Sequence, residues 1–225
     1  MGWLSRLLRT TSKIEANEIR ATFVAFLLIF ILMAAYYILR PVRDAMASDW
    51  SDAEVSFLWT LNFFISTAVV ALYGIAVSRL KFQRLVPSVY AFFAMTFLAF
   101  YAAINITADR DLLDKCFYIW LSVFSLFHVS VFWSFMSDLF SKDQAKRLFP
   151  VIAAGASAGA LLGPSLPTLF AGVVGLDSLM LIAASLLLVP MPLIIHLSRL
   201  KFTTLHNEAV SVDLSEARIG GNPFA

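Results

Sequence analysis

Six long apolar runs, none broken by more than an occasional polar residue, dominate this sequence and leave few folds open to it. They fall at about 16–46, 52–78, 84–105, 112–137, 144–172 and 177–198. A hydrocarbon core of ~30 Å takes about 20 helical residues to cross, and each run is long enough. The runs are continuous and do not alternate, which excludes the strands of a transmembrane barrel. Helices alone then satisfy so much backbone inside lipid. With 60% hydrophobic residues, 21 Phe and only 14% charged residues in 225, the chain is too apolar for a soluble domain of its length. The expected class is all-α: a polytopic membrane protein with a short segment 1–15, a six-helix bundle 16–198 and a polar linker 199–225.

The boundaries carry mechanism. Ser51–Glu54 and Ser141–Gln144 both fit the capping box, in which a hydroxyl and a carboxylate or amide satisfy the free N–H groups of a helix start. The first run loosely imitates a secretory signal ahead of "AMA" (Ala45–Ala47). Its apolar stretch is longer than a signal core, and Arg40, Arg43 and Asp44 precede the supposed cleavage point, so it reads as a retained helix.

Lys and Arg fall unevenly between successive connections. Thirteen lie in the amino-terminal segment, the second and fourth loops and the tail, against four in the alternate loops. By the positive-inside rule both termini are cytoplasmic. The net charge of +2 gives no sign of a nucleic-acid partner. Cys116 is the lone cysteine, and His128, His196 and His206 are scattered, so neither a metal site nor any bound cofactor is expected. No paired carboxylates or nucleophile–base set occurs within the helices, and an enzyme is not expected.

Ionisable residues break the pattern in one place. "YYILRPVRDAM", residues 36–46, puts Arg40, Arg43 and Asp44 on one helical face, with Tyr36 one turn before Arg40. Two readings stand side by side. The arginines are interfacial anchors whose stems snorkel to lipid headgroups while Asp44 pairs with Arg40; or they face a wet cleft and hold an anion through the planar guanidinium fork. Asn62 and His128, with Ser130 and Asn105, are the other polar groups in the apolar runs. His128 reads first as a packing residue and second as a substrate or proton contact. Gly155, Gly159 and Gly163 form a bare stripe that admits close approach of another helix. Pro164 and Pro167 then interrupt the helix and supply a bend suited to gating. Asp138 and "SKDQAKR" read as a solvated loop that can also clamp neighbouring helix ends through charge pairs.

"ILRPVRDAM" (Ile38–Met46) resembles the first-helix signature of the ATP/ADP translocase family, and "VSVFWSFMSDLFSKDQAKRLFPVIAAGASAGALLG" (Val129–Gly163) resembles its fourth-helix, loop and fifth-helix region. The closest likeness is to free-living bacterial relatives of major-facilitator type, in which a segment similar to "GGNPF" joins two six-helix halves. The resemblance implies half of a twelve-helix, major-facilitator-like transporter of a bacterial inner membrane, exchanging nucleotides or related organic anions by alternating access. Its implied partners are the lipid bilayer, the anionic solute, and a second six-helix half or a homodimer partner. It also implies that Arg40, Arg43 and Asp44 contact the solute, with Arg43 standing where the family has lysine. A non-transporting six-helix scaffold or sensor is the competing reading.

Overall fold

The computed structural model describes residues 14–79, 82–107 and 110–205. Among these there is no strand. Eight helices follow one another: α1 (Ile19–Met46), α2 (Asp52–Arg79), α3 (Phe82–Ile106), α4 (Asp111–Leu139), α5 (Lys142–Leu162), α6 (Ser165–Val174), α7 (Leu176–Leu186) and α8 (Pro190–Thr203). They make six spans long and apolar enough to cross a membrane, Ile19–Met46, Asp52–Ala76, Arg84–Ile106, Asp111–Leu139, Lys142–Leu169 and Ser178–Thr203. The chain is thus a multi-pass helical membrane protein.

Both capping boxes form. Ser51 N–H donates to Glu54 Oε2 at 3.0 Å while Glu54 N–H donates to Ser51 Oγ at 3.3 Å. Ser141 and Gln144 do the same at the start of α5. These boxes let α2 and α5 begin within a few residues of the preceding helix.

Paired contacts give the helix directions. From Glu18–Arg147 through Phe26–Gly155 to Tyr37–Gly163, α1 and α5 advance together and are parallel. Phe100–Phe117, Phe93–Phe124 and Tyr90–His128 run oppositely on α3 and α4. Glu54–Lys115, Trp59–Tyr118 and Tyr73–Phe127 place α2 parallel to α4. The helix ends therefore fall at two levels, the Arg147 end and the Arg43 end.

α1 is the central helix. Ala25, Leu28, Ile29, Leu32, Ala35, Ile38, Leu39 and Val42 are wholly buried along it. Aromatic rings of α3 and α4, including Phe93, Phe97, Phe117, Phe124 and Phe132, fill the space beside it. On α2, by contrast, Phe57, Phe63, Phe64 and Leu72 point outward, the apolar surface that suits lipid.

The tightest seam joins α1 to α5. A Cβ on Gly155 would stand 2.5 Å from the Phe26 carbonyl oxygen, and one on Gly163 would stand 2.7 Å from Tyr37 Cβ. Gly159 faces the Phe30 carbonyl as closely. In lipid, where apolar burial gives helices little reason to associate, such backbone contact supplies the dispersion attraction that holds them.

One expected break is present, and three other expectations need correction. The run 144–172 is interrupted at Pro164: α5 ends at Leu162, a turn follows at Gly163 and Pro164, and α6 starts at Ser165, with Pro167 inside it. Pro164 has no N–H for the Ala160 carbonyl, and Leu166 N–H turns instead to Gly163 O at 3.3 Å. The run 177–198 likewise divides into α7 and α8, because Pro190 and Pro192 remove two amides; Val189 and Met191 bond three residues back, each at 3.2 Å, to the Leu186 and Leu188 carbonyls. The polar tail does not begin at residue 199. α8 runs on to Thr203, and Lys201 is only 2% exposed, its Nζ 3.0 Å from Asp138 Oδ2. Asp138 is accordingly the last turn of α4 rather than a solvated loop residue. Residues 1–13 and 206–225, with His206 and the "GGNPF" segment, lie outside the described residues.

Ion pairs clamp the Arg147 end. Arg147 Nη2 donates to Glu18 Oε1 at 2.8 Å, and the Glu18 side chain is 1% exposed. With Lys201–Asp138 this ties α1 to α5 and α4 to α8. Gly159→Val is expected to destabilise the bundle by about 1–3 kcal/mol through overpacking, while Gly74→Ala, with open space around it, leaves the melting temperature in detergent unchanged or higher. Asp138→Asn strands buried Lys201 and is expected to cost about 3–5 kcal/mol, and joining it to Lys201→Met recovers most of the loss in the same melts.

Candidate functional site

Pro41 lies inside α1 without ending it, and the helix runs on through Arg43 and Asp44 to Met46. Because the helix continues, the i, i+3, i+4 spacing holds and Arg40, Arg43 and Asp44 share one end of α1. Their environments differ. Arg43 has 16% of its side chain exposed, and its Nε and Nη2 both donate to Asp44 Oδ1, at 3.0 and 2.6 Å. Its guanidinium carbon stands 5.0 Å from the centre of the Tyr118 ring on α4. Arg40 keeps 49% of its side chain exposed and meets Asp44 only at 3.9 Å, with its guanidinium carbon 5.9 Å from the Tyr37 ring centre. Asp44 therefore orients Arg43 more than Arg40. One carboxylate shared between two guanidiniums leaves the cluster net positive.

The depth of this cluster follows from the antiparallel pairing of α1 with α4. Arg43 sits over Tyr118, and one turn nearer the end of α4 Lys115 donates to Glu54 Oε1 and Asp111 Oδ2, each at 2.9 Å. Those three residues form a belt at the helix ends. At 1.5 Å per residue the Arg43 Cα lies roughly 4.5 Å inward of the Lys115 Cα and the Arg40 Cα roughly 9 Å inward, with the Arg40 side chain reaching back toward Asp44.

One and two turns further in, rings replace charges. The Tyr36 ring stacks on His128, centroids 4.7 Å apart and planes at 28°, and Phe124 stacks on the imidazole at 5.0 Å. His128 is 2% exposed. Its Nδ1 lies 3.1 Å from the Phe124 carbonyl, which assigns the ring proton to that nitrogen, and Nε2 has no hydrogen-bond partner among the described residues. Tyr90 on α3 donates its hydroxyl to the His128 carbonyl at 2.8 Å.

Tyr36 and His128 are thus brought together, and so are Arg40, Arg43 and Asp44. Asn62 is not brought to either group. It accepts from Ser66 Oγ at 3.3 Å and lines an open groove of about 430 Å3 with Trp59, Phe63, Ser66, Thr67, Val70 and Leu126, none of them on α1. Gly155, Gly159 and Gly163 serve the α1–α5 seam, and Pro164 stands at the break between α5 and α6. Among the described residues no three His, Cys, Asp or Glu side chains gather closely enough to hold a metal ion.

Tyr118, Trp50 and Trp59 are members of the site that reading along the chain passes over. Trp59 Nε1–H donates to Tyr118 Oη at 2.9 Å, and the Trp50 ring meets the Tyr118 ring edge-on at 5.5 Å. Their signal was available as aromatic residues near helix ends, the usual composition of a membrane interface; their convergence on Arg43 was not.

In a Cys116→Ser background, which removes the exposed native thiol, Arg40→Cys is expected to react with a charged methanethiosulfonate at least tenfold faster than Arg43→Cys, read by mass spectrometry of the purified protein. No protein-family model matches the chain, and neither a curated protein nor a solved structure matches it.

Proposed function

We propose that this chain is one six-helix half of a secondary transporter that exchanges anionic solutes, of which nucleotides are the first candidate, by alternating access. The observation that carries the reading is Arg40: its guanidinium is half open to its surroundings, and its Cα lies roughly 9 Å inward of that of Lys115 in the Glu54–Asp111–Lys115 belt. An arginine serving only to anchor a helix gains most at the level of that belt, where the headgroups are. Deeper placement carries a desolvation cost that is offset when the charge faces water or an anion. The fork of Arg40 presents its free N–H groups in the plane that suits two oxygens of a phosphate or carboxylate.

In this reading Arg40 makes the first contact with the solute. Arg43, already oriented by Asp44, adds a second positive charge one turn nearer the helix end. Tyr36, on the inward side of Arg40 and half-buried on His128, offers an aromatic edge to the organic part of the solute. The likeness of Ile38–Met46 and Val129–Gly163 to ATP/ADP translocases supports nucleotide as the cargo and a second six-helix body, or a second copy, as the other wall of the path. The same likeness and the Lys/Arg distribution support a bacterial inner membrane with the Arg147 end cytoplasmic.

The test is counter-exchange of labelled ATP or ADP by the full-length protein in liposomes preloaded with unlabelled nucleotide. Uptake is expected to depend on the preload. Arg40→Ala is expected to lower kcat/KM about 10- to 100-fold, the loss of a charge-assisted hydrogen bond, and Arg40→Lys to restore part of it. Transport by Arg40→Ala at the unaltered rate refutes the binding role, and no uptake of any anion by a folded full-length protein leaves the scaffold reading in its place.

A further inference from the structure

The Arg43 guanidinium touches more than its own helix, and what it touches is organised. A free arginine side chain samples many rotamers, so a carrier that uses its charge gains when the fork is already held where the anion arrives. Asp44 holds one edge of the Arg43 fork, but Asp44 is itself 53% exposed and adjacent in sequence, so it moves with the same helix end. Tyr118 is different. It is 9% exposed on α4, and its ring face lies under the guanidinium carbon at 5.0 Å. The ring is held in turn from two other elements, by the Trp59 N–H on α2 at 2.9 Å and by the Trp50 edge in the α1–α2 connection at 5.5 Å. A buried phenol with both its hydroxyl and its edge engaged has little freedom to swing.

We infer that Tyr118 is a positioning residue for Arg43: its ring, locked by Trp59 and Trp50, sets where the second positive charge stands and thereby how strongly the carrier prefers more highly charged anions. This rests on the anion-exchange reading above and goes beyond it, because Tyr118 touches no solute itself. A ring that merely filled space would affect assembly and turnover without regard to Arg43. A ring that acts through Arg43 has no further effect once Arg43 is gone.

The experiment is a double-mutant cycle on the full-length protein in nucleotide-exchange liposomes. Tyr118→Met keeps most of the volume and removes the π face; it is expected to raise the KM for nucleoside triphosphate about 2- to 30-fold, the range of a cation–π contact, with kcat within about twofold. The KM for monophosphate is expected to rise less. Tyr118→Phe keeps the face but loses the Trp59 hydrogen bond, and is expected to raise KM as Trp59→Phe does and less than Tyr118→Met. In an Arg43→Ala background, Tyr118→Met is expected to change KM no further. Independent, additive effects of Arg43→Ala and Tyr118→Met, or a fall in kcat with KM unchanged, overturn the inference while leaving anion exchange standing. If Tyr118→Met does not assemble, Trp59→Phe gives the same reading, since it frees the Tyr118 hydroxyl alone; a KM rise that vanishes without Arg43 supports the positioning role and an unchanged KM overturns it. An unaltered protein that exchanges no nucleotide refutes the exchange reading and this inference together.

Discussion

Where Gly155, Gly159 and Gly163 meet the Phe26, Phe30 and Ala34 carbonyls, α1 and α5 touch backbone to backbone, and the rest of the bundle is arranged around that contact. Lipid tails compete on equal terms with leucine and phenylalanine, so apolar burial selects no particular neighbour for a helix in a membrane. Close approach does, because it needs small residues in register on one helix and tolerates only a matching surface on the other. Once α5 lies parallel to α1, Arg147 falls beside Glu18 at one end and Gly163 falls beside Tyr37 toward the other. The remaining faces of α1 are then left for α4, α7 and α8.

The two ends of this bundle treat charge differently. At the Arg147 end, buried or nearly buried charges are matched: Glu18 with Arg147, Lys201 with Asp138. Each pair joins helices distant in sequence, so separation of the helix ends would expose a charge without its partner. At the Arg43 end Lys115 is shared by two carboxylates, Glu54 and Asp111, while further along α1 two arginines share one aspartate. The belt is thus one charge negative and the Arg40–Arg43–Asp44 cluster one charge positive.

The rings extend this asymmetry inward. Tyr36, His128 and Phe124 make a stack at mid-length of α4, where Tyr90 braces the backbone of His128 from α3. Charge outside and aromatic surface inside follow one stripe of α1, from Asp44 and Arg40 to Tyr36.

Much of this was legible along the chain. Spans, capping boxes and the glycine stripe depend on local hydropathy, on hydroxyl-to-amide reach and on the absence of Cβ atoms, and each is a property of a few consecutive residues. Tyr36 one turn from Arg40 is equally local. The break at Gly163–Pro164 was marked by its proline; the one at Leu187–Val189 was less legible, since hydropathy runs smoothly across prolines that interrupt the hydrogen bonds. Lys201 was misjudged for a related reason: a lysine in polar surroundings reads as solvated until the neighbouring helix brings Asp138 to it.

The sequence by itself determined a six-span helical membrane chain, the residues that cap its helices and the charged side chains that break its apolar runs, because helix formation in lipid and residue chemistry are set within a turn or two of the chain. Tertiary structure alone decided that Asp44 serves Arg43 and leaves Arg40 open, that Tyr118 lies beneath Arg43, and that Asn62 faces another groove. Those outcomes turn on rotation and register between helices far apart in sequence, and packing of whole surfaces, not the pattern of any one run, sets both.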